Sequence, residues 1–285
     1  MRILILGGDG MLGHQLLKHF ASTHEVRVTV RQELQTYAPF RLFNLANTFD
    51  RVDVRSFEGV SAVLTRFRPD AIVNAVGIVK QRAEAKAAIP SLEINSLFPH
   101  RLALLCREKA IRLVHMSTDC VFSGRAGNYK ETDIADAEDL YGRSKLLGEV
   151  CDAPCVTLRT SMIGRELSRK TSLLEWFLAQ RNSIKGFRQA IFSGFTTIEM
   201  ARILDHLLTS FPNASGLYHV SSAAISKYDL LNLVRTRLKL DIKIVPDEQF
   251  TCNLSLDSTH FRNDFSYTPP TWESMVDEFA ESLPA

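Results

Sequence analysis

Tyr141 and Lys145 stand four residues apart in Tyr141-Gly142-Arg143-Ser144-Lys145, a spacing that puts two side chains on one helix face. A phenol with an ordinary pKa of about 10 is a poor acid–base group at neutral pH. A lysine cation beside it favours the phenolate and makes it a usable one. Upstream lies His115-Met116-Ser117-Thr118-Asp119-Cys120, at the end of an apolar run. The Thr118 hydroxyl can hydrogen-bond the same carbonyl oxygen that Tyr141 would protonate. Y-x-x-x-K alone is a common surface pair, so its weight comes from the residues that accompany it.

The first companion is a glycine loop. Gly7, Gly10 and Gly13 form G-x-x-G-x-x-G directly after the apolar run Ile3-Leu4-Ile5-Leu6 and before a helical pattern. Glycines there allow a tight turn and a close approach of backbone N–H groups to a pyrophosphate, with the positive end of the helix behind them. Strand before and helix after are the context that separates a dinucleotide loop from an ordinary Gly-rich turn. The second apolar run closes on Val28-Thr29-Val30-Arg31, with no acid for the ribose hydroxyls. Arg31 can pair with a 2′-phosphate instead. The expected cofactor is therefore NADPH, with NADH as the alternative, and an exposed arginine at a strand end is the plainer account of Arg31.

The elements that must position these groups follow a strand–helix alternation. Strands are predicted at Arg2–Leu6, Val26–Val30, Ala71–Ala75, Arg112–Met116 and Val156–Arg159, and helices at Met11–Phe20, Ser56–Arg66 and Leu92–Lys109. Near-continuous apolar strands alternating with amphipathic helices imply an α/β fold, a Rossmann-type doubly wound parallel sheet covered on both faces. After Arg159 the pattern loosens. A helix is expected over Thr171–Gln180, and capping pairs Thr196/Glu199 and Ser226/Asp229 open two more. A short strand is read at Leu217–Val220, and a last helix from about Trp272. The expected division is an NADP-binding domain over 1–165, with a returning segment near 190–210. A smaller, interleaved C-terminal substrate-binding domain takes 166–285.

The 34 basic residues nearly balance the 32 acidic ones, which gives no electrostatic reason to expect nucleic acid. No apolar run is long enough to span a bilayer, and Gly7-Gly8 end the first run too early for a signal-peptide core. Five cysteines, an odd number, read as reduced thiols in a cytoplasmic protein. Cys151 and Cys155 lack the spacing of a redox or zinc motif, and no metal is expected. Lys185 and Arg188, flanking Gly186-Phe187, can hold a diphosphate or simply form a solvated basic face.

With these motifs in place, the sequence resembles the extended short-chain dehydrogenase/reductase family, and within it the dTDP-4-dehydrorhamnose reductases. The likeness runs over nearly the whole chain: GGDGMLG, VNAVG at 73–77, the segment around Asn95, STDCVFSG, ETD at 131–133, YGRSKLLGE at 141–149, LRTSMIG at 158–164 and GLYHVSS at 216–222. The resemblance implies that Thr118, Tyr141 and Lys145 are catalytic. It places Gly7, Gly10, Met11, Leu12 and Gly13 on the pyrophosphate, Asp53-Val54 near the adenine, and Ala75-Val76-Gly77 along the cofactor, with Ser117 a structural residue or a cofactor contact. Asp119 matches a position beside the sugar. Met162 stands where the rhamnose enzymes carry a tryptophan, which puts the particular sugar in question.

The activity this implies is NADPH-dependent reduction of the 4-keto group of a nucleotide-activated 6-deoxysugar for cell-surface polysaccharide precursors. The substrate would be dTDP-4-dehydrorhamnose or a UDP-2-acetamido-4-keto-6-deoxyhexose, and a homodimer is one compatible assembly. Dehydratases of this scaffold carry a Thr-Asp-Glu pattern where this chain has Thr118-Asp119-Cys120, and a thiol is no substitute for that carboxylate without strong activation. A sugar-nucleotide epimerase and an NADP-binding regulatory subunit of another enzyme are the two alternatives.

Overall fold

A computed structural model of the chain describes residues 1–80 and 86–283. The path begins with β1 (Arg2–Leu6), α1 (Gly13–Phe20), β2 (Glu25–Thr29), β3 (Thr48–Phe49), α2 (Phe57–Phe67) and β4 (Ala71–Asn74). A short turn, α3 (Ala88–Ser91), leads through a π-helical stretch, Leu92–Leu97, into α4 (Phe98–Glu108). Then come β5 (Arg112–Met116), α5 (Leu140–Leu146) and β6 (Cys155–Arg159). The later chain forms β7 (Met162–Ile163), α6 (Leu173–Leu178), β8 (Ser183–Phe192), β9 (Phe195–Thr196), α7 (Thr197–Ser210), β10 (Gly216–His219) and β11 (Ile225–Ser226). It ends with α8 (Lys227–Arg237), β12 (Lys243–Asn253), α9 (Thr259–Asp264) and α10 (Trp272–Glu281).

Two compact units emerge. The first comprises Met1–Ser117, Asp139–Leu158 and Ala201–Leu217. Its frame is a seven-stranded sheet in the order β10-β6-β5-β4-β1-β2-β3, with parallel pairing from β6 through to β3. β1 and β4 are buried along nearly their whole length, as strands covered on both faces must be. One face carries a core of Leu4, Leu6, Ile72 and Leu113 from the strands with Val60 and Leu64 of α2 and Phe98 and Leu102 of α4. On α1 the apolar stripe Leu16, Leu17 and Phe20 is fully buried. The chain leaves β1 toward β2 on one side and, later, returns to β4 on the other. The strand order therefore reverses beside β1, and a doubly wound sheet opens its ligand crevice at that point.

The second unit comprises Thr118–Glu138, Arg159–Met200 and Tyr218–Ala285. It holds a three-stranded sheet, β11-β8-β12, and the two-stranded pair β7-β9. α8 packs on β8 and α10 on α8, and the Trp272 indole N–H donates to the Ala223 carbonyl at 2.7 Å. Among the described residues no helix is long and apolar enough to cross a membrane.

The α/β architecture matches the expectation from sequence, and the differences are local. The helix predicted from Met11 starts at Gly13. The helix predicted over Leu92–Lys109 is continuous, but its first part is π-helical. Pro99 lacks the N–H that an α-helix would direct at the Asn95 carbonyl, which suits the looser winding there. Neither β8 nor β12 was expected. β8 buries Ile184, Gly186, Ala190 and Phe192, but a glycine at the centre of the run breaks its apolar alternation. β12 is mostly exposed, contains Pro246 and shifts register between Asp247 and Thr251, so it carries no period-2 signal.

Candidate active site

The glycine loop leaves β1 with Gly7 at φ +87°, and Gly10 N–H closes the turn on the Gly7 carbonyl at 3.1 Å. A Cβ on Gly13 would stand 2.1 Å from the Gly7 carbonyl oxygen, so only glycine lets the start of α1 pack against the turn. Leu12, the N-cap of α1, makes no side-chain cap, and the His14 N–H at the helix start bonds the Gly10 carbonyl at 3.3 Å. Leu12 itself is buried, so its contribution to a phosphate is backbone. His14 secures the loop from behind with Nδ1 2.8 Å from the Gly10 carbonyl oxygen. Burial holds that imidazole below its ordinary range.

The loop after β4 meets this turn. Ala75 N–H donates to the Leu6 carbonyl at 3.1 Å and Val76 N–H to Asn74 Oδ1 at 3.2 Å, and Val76 borders Gly7. Ala75 and Val76 thus lie beside Gly7, while Gly77 borders the Asn95 side chain. Arg31 is exposed, two residues past β2. Asp53 is gripped by the Arg55 guanidinium, with Nη2–Oδ2 at 2.6 Å. That bond holds the Asp53 carboxyl below its usual range, and the Arg31 charge adds to the effect. Val54 is part of the hydrophobic core, which leaves its backbone as the only part to offer a nucleotide. A cradle of backbone that a Cβ would fill, a helix start without a capping side chain and the Arg31 guanidinium suit a dinucleotide carrying phosphate.

α5 carries Tyr141 and Lys145. Asp139 caps it, accepting from Gly142 N–H at 2.8 Å, and is paired with Lys80 at 2.6 Å. Asn95 of the π-helical stretch clamps the region. Its Oδ1 accepts from Ile78 N–H at 2.9 Å, and its Nδ2 donates to the Ile78 carbonyl and to Ser144 Oγ, both at 3.1 Å. Tyr141 is half-buried and Lys145 is 4% exposed. The Lys145 ammonium donates to the Met116 carbonyl at the end of β5, 2.7 Å away. Burial pushes the Lys145 pKa down to about 8, against the opposing pull of Glu149. Next to Met116, Ser117 Oγ donates to Glu149 Oε1 at 2.6 Å.

In the second unit Thr118 Oγ1 donates to Asp119 Oδ1 at 3.1 Å and accepts from Cys120 N–H at 3.2 Å. Asp119 is buried, which raises its pKa, while hydrogen bonds from Cys120, Thr118 and Ser161 pull it back. Asp119 N–H donates to the Thr160 carbonyl at 3.3 Å. Met162 is half-buried at the start of β7. Lys185 and Arg188 lie on β8. Lys185 pairs with Asp247 at 2.9 Å, and Arg188 lies over the Tyr228 ring and 3.9 Å from Glu248. Both cations face acids of β12, a strand the sequence reading lacked. Among the described residues no group of three or more His, Cys, Asp or Glu is placed to hold a metal. Sequence reasoning passed over Asp139 as a cap and Glu149 as a neighbour of Lys145. The second was detectable, since Glu149 continues the four-residue spacing of Tyr141 and Lys145.

A doubly wound sheet, a glycine turn at its switch point and a buried lysine on a Y-x-x-x-K helix define a nucleotide-binding protein of the short-chain dehydrogenase/reductase class. Comparison with known proteins narrows this class. Residues 1–284 match the RmlD substrate binding domain family, and the chain belongs to it. The dTDP-4-keto-6-deoxy-D-glucose reductase of Streptomyces niveus is 28% identical over 263 residues, 87% of this chain and 83% of that protein. The dTDP-4-dehydrorhamnose reductase of Escherichia coli K12 is 25% identical over 309 residues, 99% of this chain and 98% of that one. In structure, the dTDP-4-dehydrorhamnose reductase of Bacillus anthracis, solved with NADP, superposes with a TM-score of 0.80 at 19% identity, over 99% of both chains. That last likeness establishes the fold.

Proposed function

We propose that this protein is an NAD(P)H-dependent reductase of the 4-keto group of a nucleotide-activated 6-deoxysugar, with NADPH preferred. The observation that carries the reading is Lys145, a buried ammonium anchored at the end of β5 and one helical turn from Tyr141. Burying a lysine without a task is costly, and this one has the position that tunes a phenol. The glycine turn and Arg31 supply the grip on a phosphorylated dinucleotide. When bound, the nicotinamide supplies the hydride to C4 of the sugar. Tyr141 Oη gives its proton to the sugar O4, and Lys145 stabilises the phenolate left behind. Thr118, whose hydroxyl bonds Asp119, is read from the family resemblance as a further hydroxyl donor to the substrate. Residues 166–285 are read as the part that chiefly holds the sugar nucleotide, in a cytoplasmic setting without a nucleic-acid partner. The reductase names of the relatives support the same chemistry.

The test is NADPH oxidation against dTDP-, UDP- and GDP-4-keto-6-deoxy sugars, including dTDP-4-dehydrorhamnose and a UDP-2-acetamido-4-keto-6-deoxyhexose. Tyr141→Phe keeps the ring but removes the proton and should lower turnover by roughly 10²–10⁴-fold, the scale of general acid catalysis. Its NADPH affinity should stay close to that of the unmutated protein. Binding of NADPH without oxidation by any sugar of the panel would favour a regulatory subunit instead.

A further inference from the structure

Lys145 is an uncomfortable charge, because it is almost fully enclosed and an enclosed ammonium tends to lose its proton. It has three donors, one of which reaches the Met116 carbonyl. Its ionisable surroundings are few. On β5 the nearest is His115, fully buried and held well below the usual histidine range, by burial first and then by the Lys145 charge. That imidazole is neutral at pH 7 and cannot balance an ammonium. His100 of α4 acts on His115 and bonds the Leu147 carbonyl at 2.8 Å. In the π-helical stretch the one ionisable residue is Glu93, which is exposed, and α3 has none. On α5 itself Tyr141 lies one turn back. Arg143 of α5 is an exposed cation, and among the described residues the acid that acts on Lys145 is Glu149, half-buried and four residues ahead.

We propose that Ser117 and Glu149 form a positioning pair for Lys145, in which the hydroxyl pins the carboxylate and the carboxylate serves as counter-charge to the enclosed ammonium. The geometry is economical. Consecutive residues at the end of β5 hold the two charged side chains, Met116 through its carbonyl at 2.7 Å and Ser117 through its hydroxyl at 2.6 Å. The 2.6 Å contact is of the short, charge-assisted kind. It fixes one oxygen of a half-buried carboxylate just past the end of α5. Glu149 already opposes the effect of burial on Lys145. The consequence for turnover rests on the reductase reading, whereas the ionisation of Lys145 can be measured without it.

The experiment follows the Lys145 side-chain ¹³Cε signal through a pH titration of the full chain, with the signal assigned by its loss in Lys145→Arg. The unmutated protein should titrate near pH 8. Glu149→Gln removes the negative charge, so the midpoint should fall, by about one unit or tenfold in proton affinity, the lower end of what a close opposite charge does. Ser117→Ala leaves the charge but removes the hydroxyl that holds it, and should lower the midpoint by less. A folded Glu149→Gln variant with an unmoved midpoint overturns the proposal. If that variant does not fold, Ser117→Ala decides, and an unmoved midpoint there overturns it. A merely structural tie would cost thermal stability without moving Lys145. If the midpoint moves and no keto sugar is reduced, the pair stands and the reductase reading falls.

Discussion

Arg31 and Lys145 concentrate the chemistry of the first unit in two cations of opposite character, one exposed and one enclosed. On the proposed reading, Arg31 would meet a 2′-phosphate with a charge-assisted bond worth about 1.5–3 kcal/mol, or about ten- to a hundredfold in affinity. Arg31→Ala should remove most of the preference for NADPH and leave NADH affinity nearly unchanged. Isothermal titration of both cofactors checks it, and equal affinities in the unmutated protein would refute the assignment. Lys145 sets a pH dependence. Its folded pKa is lowered to about 8 by burial, so it is charged below that value and neutral above it. On the proposed reading, a neutral Lys145 would no longer stabilise the Tyr141 phenolate, so turnover should fall as pH rises through about 8. A rate that stays flat to pH 10 would separate Lys145 from the proton transfer.

At the scale of elements, the placement of α5 depends on a contact that no propensity describes. A Cβ on Gly148 would stand 1.9 Å from the Asn95 carbonyl oxygen, the group that Pro99 leaves without an α-helical donor. The end of α5 and the π-helical stretch therefore touch backbone to backbone. Asn95 and Ser96 complete the contact from the same stretch, with Ser96 Oγ donating to the Ser144 carbonyl at 2.7 Å. Gly148→Ala must push the two segments apart, at a cost of about 1–3 kcal/mol or more for overpacking. The expected result is a lowered melting temperature together with reduced turnover, because the displaced helix carries Tyr141 and Lys145. Thermal unfolding followed by circular dichroism measures the first effect and NADPH oxidation the second. A variant with unchanged stability would mean that this contact relaxes freely.

For the molecule as a whole, the glycine turn, the loop after β4 and α5 all belong to the first unit. A ligand that binds only the folded chain stabilises it by RT ln(1 + [L]/Kd), about 2.7 kcal/mol at a hundredfold excess over Kd. For a unit of this size that corresponds to a rise of roughly 5–10 °C in melting temperature. NADPH should produce such a rise, with added amide protection concentrated in β1, β4 and β5, as read by hydrogen exchange. A melting temperature indifferent to saturating NADPH would remove the cofactor from the account.

The sequence by itself determined the class of fold and the order of the chemistry along the chain. Buried parallel strands are apolar throughout and leave a strong linear signal, so β1, β4 and β5 were legible to within a residue. The glycine turn was legible because only one residue type tolerates its backbone approach, and Tyr141/Lys145 because a helix repeats every four residues or so. Tertiary structure decided the rest. β8 and β12 pair with each other along most of their length, and half-exposed strands that depend on a distant partner have little pattern of their own. That pairing also sets acids against Lys185 and Arg188, which no local reading could foresee. Lys145 is the clearest case. Its type and spacing were written in the chain, but its burial and its bond to Met116 exist only once β5 and α5 are packed together, because a charge acquires its ionisation from what surrounds it in space.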